Sequence, residues 1–590
     1  MDSSRTRKRK NTVLSTSETD ENLNELTPKR SKIDLSDSPY TPSHPIETKS
    51  RLTKKSKKNR LFSNPTLLAS LDRDKISCRI ATRIIAATAT ALGENVDEIT
   101  FSTATLKRKR TEIRGKLNKF VKETFNFPSR LVVHFDGKLL LDNSGSFGER
   151  LAVMVSGNSK DCQQGKLLSA RQIEDSSGEN QSDEIMLTLN EWNILEKVSC
   201  MCFDTTSSNT GWIRGAAVKL EQKIGKALLW FPCRHHIHEI YIKAAFESIY
   251  GEDNSPDYAF FQQFARSWHL IDEDNYDSLE IQDENDRLQQ NEIIQFCLNQ
   301  LENFQPRDDY REALELVLIT LGHKTQKFSF KRPGACHKAR WLAVVIYCLK
   351  INLFRVQLGI PPEDCLQLER LIRFICLIYI QHWYLSPTAR NAPHMDLLLH
   401  KKMVSYLNVD REIANAVLDK LKRHTWYLNM EYAPFSLFSE FVSDDEKLEI
   451  ATALNNVRPP AQYKGGYPSE VKLSIRPHIA RNYKLSSFVK PGSHFIFDTM
   501  NFDKSRLSLP VNDWKNHEGF KEIESFVRNI LVVNDTAERG IKLISDYANC
   551  LTKNASERQE ILQLVEYHRS KISDDKKSTI KRSYNRDFSM

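Results

Sequence analysis

Val198–Ala217 reads VSCMCFDTTSSNTGWIRGAA. A short apolar run stops at Asp204, crosses the polar segment TTSSNT, reaches Gly211 and enters a helical pattern. An apolar run of this length, bounded by turn residues, predicts a buried strand over 197–204 and then a helix over 212–224. The next segments repeat the alternation. ALLWFPC (227–233) predicts a strand, and HHIHEIYIKAAFESIY predicts a helix starting near His235. Upstream, RLVVHFDGKLLLD (130–142) and RLAVMVSG (150–157) predict neighbouring strands, with a helix ahead of 190–196. Strands separated by helices imply an α/β core: a mixed sheet with parallel members and flanking helices.

Outside this core the periodicity is helical. Residues 64–128 read as helices. From about 251 to 515 helical spacing dominates, as in ARWLAVVIYCLKINLFRV (339–356) and LERLIRFICLIYIQHWYL (368–385). The acidic interval 270–292 predicts an exposed excursion, and a final helical block covers 519–572. The expected organisation is therefore a disordered basic tail (1–60), a helical N-terminal region (61–128) and the first part of the core (129–250). An all-α insertion domain (251–515) follows, then the C-terminal helical part of the core (516–575) and a flexible tail (576–590).

Charge is unevenly placed. Residues 1–60 hold fifteen Lys/Arg against eight Asp/Glu, most of the chain's net charge of +9. That segment is rich in Ser, Thr and Pro and too poor in apolar residues to offset its ordering entropy. Its clusters RTRKRK (5–10) and KKSKKNR (54–60) suit a nuclear import receptor or a phosphate backbone, and predict a nuclear protein. The 11 cysteines are thinly spread and no secretory signal precedes them, so they read as reduced intracellular thiols; no zinc-finger pattern is visible. The most apolar run, 371–380, is about half a membrane span and contains Arg373, so no membrane is expected.

A second basic feature lies at 105–122, TLKRKRTEIRGKLNKFVK. Lys107, Arg108, Lys109, Arg110, Arg114, Lys116, Lys119 and Lys122 stand beside one acid, Glu112. Ile113, Leu117, Phe120 and Val121 recur at helical spacing, leaving a wet basic side for a polyanion such as double-stranded DNA, or simply for solvent.

Two predicted strands carry aspartates near their ends, Asp136 in HFDGK and Asp204 in CFDTT. Ligands of α/β sheets gather beyond the carboxyl ends of parallel strands. Two carboxylates converging there repel unless a cation neutralises them, and hard oxygen ligands suit Mg²⁺ or Mn²⁺. An aspartate before Gly or Thr also marks turns and helix caps, and that reading stays open. For Asp204 the cap role is expected to fall instead to Asn209 or Thr210.

FDTTSSNTG followed by CRHHIHEIYI (233–242) resembles the hAT superfamily of DNA transposases, in which a Cys-x-x-His motif opens a helix; here that motif is Cys233 and His236. The resemblance implies a ribonuclease H-like core interrupted by a long helical insertion, and an Asp-Asp-Glu triad. Matched onto this chain, the triad is Asp136, Asp204 and the glutamate of the Glu538-Arg539 pair in NDTAERGIKLISDY (534–547). An Arg-Trp pair within the insertion is also family-like and corresponds to Arg340-Trp341, with Lys338 adjacent as a further phosphate contact. The zinc-binding finger that often begins members of the family is not visible. His236 is expected in a structural or DNA-facing role rather than as a zinc ligand, Asp535 as a helix cap, and Trp341 in a core.

The resemblance thus implies a nuclear, DNA-binding, transposase-like protein. Metal-dependent phosphodiester cleavage and strand transfer would run through Asp136, Asp204 and Glu538, and the reading leaves room for a homo-oligomer. The competing readings are a catalytically silent descendant that binds DNA or regulates, and a helical protein-interaction scaffold whose aspartates are turn residues.

Overall fold

The computed structural model describes residues 64–571 except 99–101, 142–146, 253–258, 282, 304, 306, 324–327, 335–340, 464–470, 548–551 and 553. The expected tails 1–60 and 576–590 lie outside the described residues, as do Lys338 and Arg340. The described part of the N-terminal region is helical: α1 (Pro65–Arg73), α2 (Cys78–Ala91) and α3 (Thr103–Thr124). Asn64, Ser77 and Ser102 start them, each side chain accepting a backbone N–H of the first turn.

Five strands form one mixed sheet: β1 (Leu131–Leu141), β2 (Phe147–Ser156), β3 (Lys166–Ser169), β4 (Val198–Phe203) and β5 (Leu229–Pro232), in the order β3-β2-β1-β4-β5. The pairs β1–β2 and β2–β3 are antiparallel, while β1–β4 and β4–β5 are parallel. Helices α4 (Gly178–Glu191), α5 (Ser207–Thr210), α6 (Ala216–Ile224) and α7 (Arg234–Tyr250) connect or follow the strands. The four-residue β3 has no counterpart in the sequence reading, because it is too short to show a period.

Two boundaries differ from expectation. The strand β1 does not end at Asp136; its parallel pairing with β4 reaches only His134, but it continues to Leu141 as an antiparallel ribbon with β2. The helix expected from 212 begins at Ala216, after an exposed turn carrying Trp212 and Ile213. The turn is tightly built: a Cβ on Gly215 would lie 2.5 Å from the Gly211 backbone, and one on Gly178 would lie 2.1 Å from the Arg214 carbonyl oxygen.

The two faces of the sheet serve two cores. Val132, Cys200, Cys202, Leu229 and Phe231 face the helical block that follows. Leu131, Val133, Phe135, Met201, Phe203 and Trp230 face the N-terminal helices, α4, α6 and the last two helices, Asp535–Tyr547 and Ala555–Lys571. This alternation is the period-two geometry of a strand buried on both sides. Cys200 and Cys202 share one face and are fully buried, as their spacing predicts.

From 259 to 514 the regular elements of the described residues are helical, and Trp341, at the start of the helix Trp341–Leu353, is buried against Phe246. Their apolar side chains continue the core of the sheet's first face rather than enclosing a separate one. Two tyrosines of this block, Tyr427 and Tyr432, donate to the Pro232 and Trp230 carbonyls of the edge strand β5, which blunts an otherwise open edge. The acidic interval 270–292 is not a free excursion. Leu279 and Ile281 are buried, and the Leu279 N–H bonds the Thr320 carbonyl at 2.7 Å. A helix, Glu284–Leu301, then begins within the interval. Among the described residues no helix is long and apolar enough to cross a membrane.

Candidate functional site

Asp136 and Asp204 meet at the carboxyl edge of the parallel strands. The last paired residues there are His134 of β1 and Cys202 of β4, so two further steps bring Asp136 level with Asp204. Cys233 follows at the end of β5, its N–H bonded to the Phe203 carbonyl at 2.7 Å.

The segment before the Glu538 helix is tied to this same edge. Asn534, almost fully buried, donates its backbone N–H to Cys233 Sγ at 3.1 Å and its side-chain amide to the Phe135 carbonyl at 3.2 Å. Arg234 N–H bonds the Val532 carbonyl at 2.9 Å. Cys233 is therefore a buried structural residue that receives the returning chain, and Asn534 links it to the residue preceding Asp136. Gly540 lets the helix Asp535–Tyr547 lie close on β2, since a Cβ there would stand 2.7 Å from Met154 Sδ.

Asp535 does not act as the expected cap. Its Oδ2 accepts from the Tyr310 hydroxyl at 2.6 Å, and its Oδ1 lies 3.1 Å from His235 Nδ1. Burial opposes its charge, but His235, Tyr310 and Arg307 together hold its carboxyl well below the usual range. The His235 ring stacks on Trp383, with centroids 4.6 Å apart. This cluster pins the first turn of the Glu538 helix to α7 and to the helix Asp308–Thr320.

The three carboxylates of the expected triad sense one another. Burial raises the Asp136 carboxyl to about 7, and the charges of Asp204 and Glu538 add to that rise. The half-buried His236 lies beside the same group: burial lowers its imidazole, while Asp204 and Glu538 pull the other way. Its neighbours His235 and His238 point inward and are buried.

Asp204 and Glu538 also have protein partners. Asp204 Oδ1 accepts from Thr206 N at 3.0 Å, Thr206 Oγ1 at 2.6 Å and Asn209 Nδ2 at 2.7 Å. It organises its own turn, and neither Asn209 nor Thr210 caps the following helix as expected: Gly215 holds the cap position of α6 without a side-chain bond, and Thr206 that of α5. Glu538 Oε2 accepts from Arg307 Nη1 at 2.9 Å. The Glu538-Arg539 pair divides its work, since Arg539 bonds the Gln164 carbonyl.

As a donor set, three carboxylates, one of them raised first by burial and then by the charges of the other two, fit a hard divalent cation. Among the described residues, however, no three His, Cys, Asp or Glu side chains already converge as a metal site. Glu538 is near the pair and held by an arginine rather than turned onto it.

The basic helix resolves into two classes. Arg110 and Arg114 are buried and committed to Asp72: Arg110 Nε donates to Oδ1 at 2.8 Å, and Arg114 Nε and Nη2 donate at 2.8 and 2.7 Å. Neither reaches solvent, so neither forms part of an open polyanion face. Lys107 and Arg108 are exposed, and Lys109 shares Glu112 with Lys116 at 2.8 Å each. Arg307, Tyr310, His235 and Asn534 surround the site without having been predicted, joined by Asp535, which was expected only as a helix cap. Only their meeting in space marks them out.

No protein-family model and no curated protein matches this chain.

Proposed function

We propose that the chain is a transposase-like nuclear DNA-binding protein with a ribonuclease H-like core and an all-α insertion, acting by phosphodiester cleavage and strand transfer through Asp136, Asp204 and Glu538. One observation carries the reading. Glu538, more than three hundred residues beyond Asp204, is tied to the strand of Asp136: its N–H bonds the Asn534 carbonyl at 2.9 Å, and the Asn534 amide bonds the Phe135 carbonyl at 3.2 Å. The mixed sheet, the aspartates at the parallel edge and the helical block between β5 and Glu538 follow the order that the resemblance implies.

Asp136, Asp204 and Glu538 would hold Mg²⁺ or Mn²⁺. A cation held there would supply Lewis acidity to an attacking oxygen and charge neutralisation to the leaving one. The chain's own contribution is placement. The turn 204–209 holds Asp204 still, Asn534 fixes the approach of the Glu538 helix to β1, and the apolar cores on both faces keep water from the strands. Lys107 and Arg108 offer exposed charge to the DNA backbone, with Lys338 and Arg340 as further sequence candidates. The basic clusters at 5–10 and 54–60 serve nuclear import.

The Arg307–Glu538 ion pair favours one second reading, a transposase-derived protein that binds DNA without cutting it. Incubating the purified chain with labelled duplex DNA and Mn²⁺, beside Asp204→Asn, separates the two. Asparagine keeps an Oδ1 acceptor for the 204–209 turn. Metal-dependent nicking lost in the variant supports cleavage; binding without nicking supports the silent reading.

A further inference from the structure

Arg307 belongs to no motif of the sequence analysis, yet it joins the helical block directly to Glu538. It immediately precedes the helix Asp308–Thr320. Asp309 holds its guanidinium along one edge, with Nε donating to Oδ1 at 2.9 Å and Nη2 to Oδ2 at 2.5 Å. The group also lies over the Tyr310 ring, 5.3 Å from its centroid. Nη1 is left over, and it donates to Glu538 Oε2 at 2.9 Å. On the same turn, Tyr310 grips Asp535. Arg307 and Tyr310 thus hold both acids of the first turn of the Glu538 helix.

A fork fixed by one carboxylate, with a free edge aimed at a second, is a preorganised cation. A divalent ion needs that second carboxylate for itself, and two cations on one carboxylate repel each other. The released edge has planar N–H geometry that suits a phosphate oxygen.

We infer that Arg307 is a built-in counter-cation for Glu538: it occupies this carboxylate until a divalent metal binds, and then passes its Nη1 edge to a phosphodiester oxygen. The inference rests on the proposed carboxylate site and adds to it a residue from the helical block that couples metal loading to the arrival of DNA.

The test is Mn²⁺ affinity of the full chain, measured by calorimetry and by the paramagnetic resonance of free Mn²⁺. Without DNA, Arg307→Gln and Arg307→Met (the latter keeping the packing over Tyr310) are expected to bind Mn²⁺ about threefold more tightly than wild type, the scale of one exposed ion pair. Arg307→Lys, which keeps the charge, is expected to stay near wild type. A short DNA duplex, its own Mn²⁺ uptake subtracted, is expected to tighten Mn²⁺ binding by wild type and close the gap to Arg307→Gln. Unchanged or weaker binding in Arg307→Gln and Arg307→Met, with Asp204→Asn still losing the metal, overturns the counter-cation and leaves the carboxylate site standing. A gap that the duplex leaves open overturns the hand-over to phosphate. Absence of Mn²⁺ binding in every variant overturns the site and the inference together.

Discussion

Asp136 is half-buried with two acidic neighbours, and its carboxyl is raised to about 7. A group whose folded value lies above its unfolded one keeps a proton that the unfolded chain has already lost. Folding stability therefore falls as pH rises from about 4 through about 7. Asp136→Asn removes that loss. It is expected to raise the thermal midpoint at pH 8, by roughly 2 to 4 kcal/mol of stability, and to leave it unchanged near pH 3, where the carboxyl is protonated in both states. Thermal scans across that range decide it; equal midpoints at pH 8 would mean that Asp136 ionises freely. At this scale the sequence marked out Asp136 and Asp204 as acids near strand ends, and the family resemblance alone singled out Glu538. It could not reveal Arg307 or the Tyr310–Asp535–His235 cluster, whose members lie far apart along the chain and meet only through folding.

Among the elements, α3 shows how a pattern legible in sequence acquires its meaning from packing. Its apolar stripe and basic side were both readable, but Arg110 and Arg114 fall on the stripe side and find Asp72 of α1 there. Removing that acid leaves two guanidinium groups buried without a counter-charge. Asp72→Ala is expected to cost about 3 to 5 kcal/mol in urea denaturation. The double change Lys107→Glu/Arg108→Glu is expected to leave stability within about 0.5 kcal/mol, as exposed substitutions do. If the proposed DNA binding uses this face, the change is expected to weaken it and flatten its salt dependence, by roughly one unit of log–log slope for each phosphate no longer neutralised. Unchanged binding with the double variant would remove this helix from the proposed DNA-binding surface. The short elements were the least readable: β3 has four residues, and the turn before Ala216 depends on the close packing of Gly178, Gly211 and Gly215.

For the whole molecule, the helical block covers one face of the sheet. Val132, Cys200, Cys202, Leu229 and Phe231 are buried in the same core as helices from 259 onward, and tyrosine hydroxyls from the block cap the carbonyls of β5. A chain lacking 251–515 would expose that face and edge. It is expected to collapse without cooperative unfolding or to aggregate, as seen by circular dichroism and limited proteolysis. A soluble, cooperatively folding product would show that the block is an independent domain.

The strand–helix alternation, the mixed sheet and the long helical tract followed from the sequence alone; the two aspartates stood out near strand ends, and Glu538 entered only through the family resemblance. Periodicity and turn chemistry are local, and a buried strand or an amphipathic helix displays them wherever it sits. Tertiary structure alone decided that the helical tract shares the sheet's core, that two arginines of the basic helix face inward, and that Glu538 arrives beside Asp136 already paired with Arg307. Each of these is a pairing across tens to hundreds of residues, and a carboxylate's partner is set by proximity in space rather than by spacing along the chain.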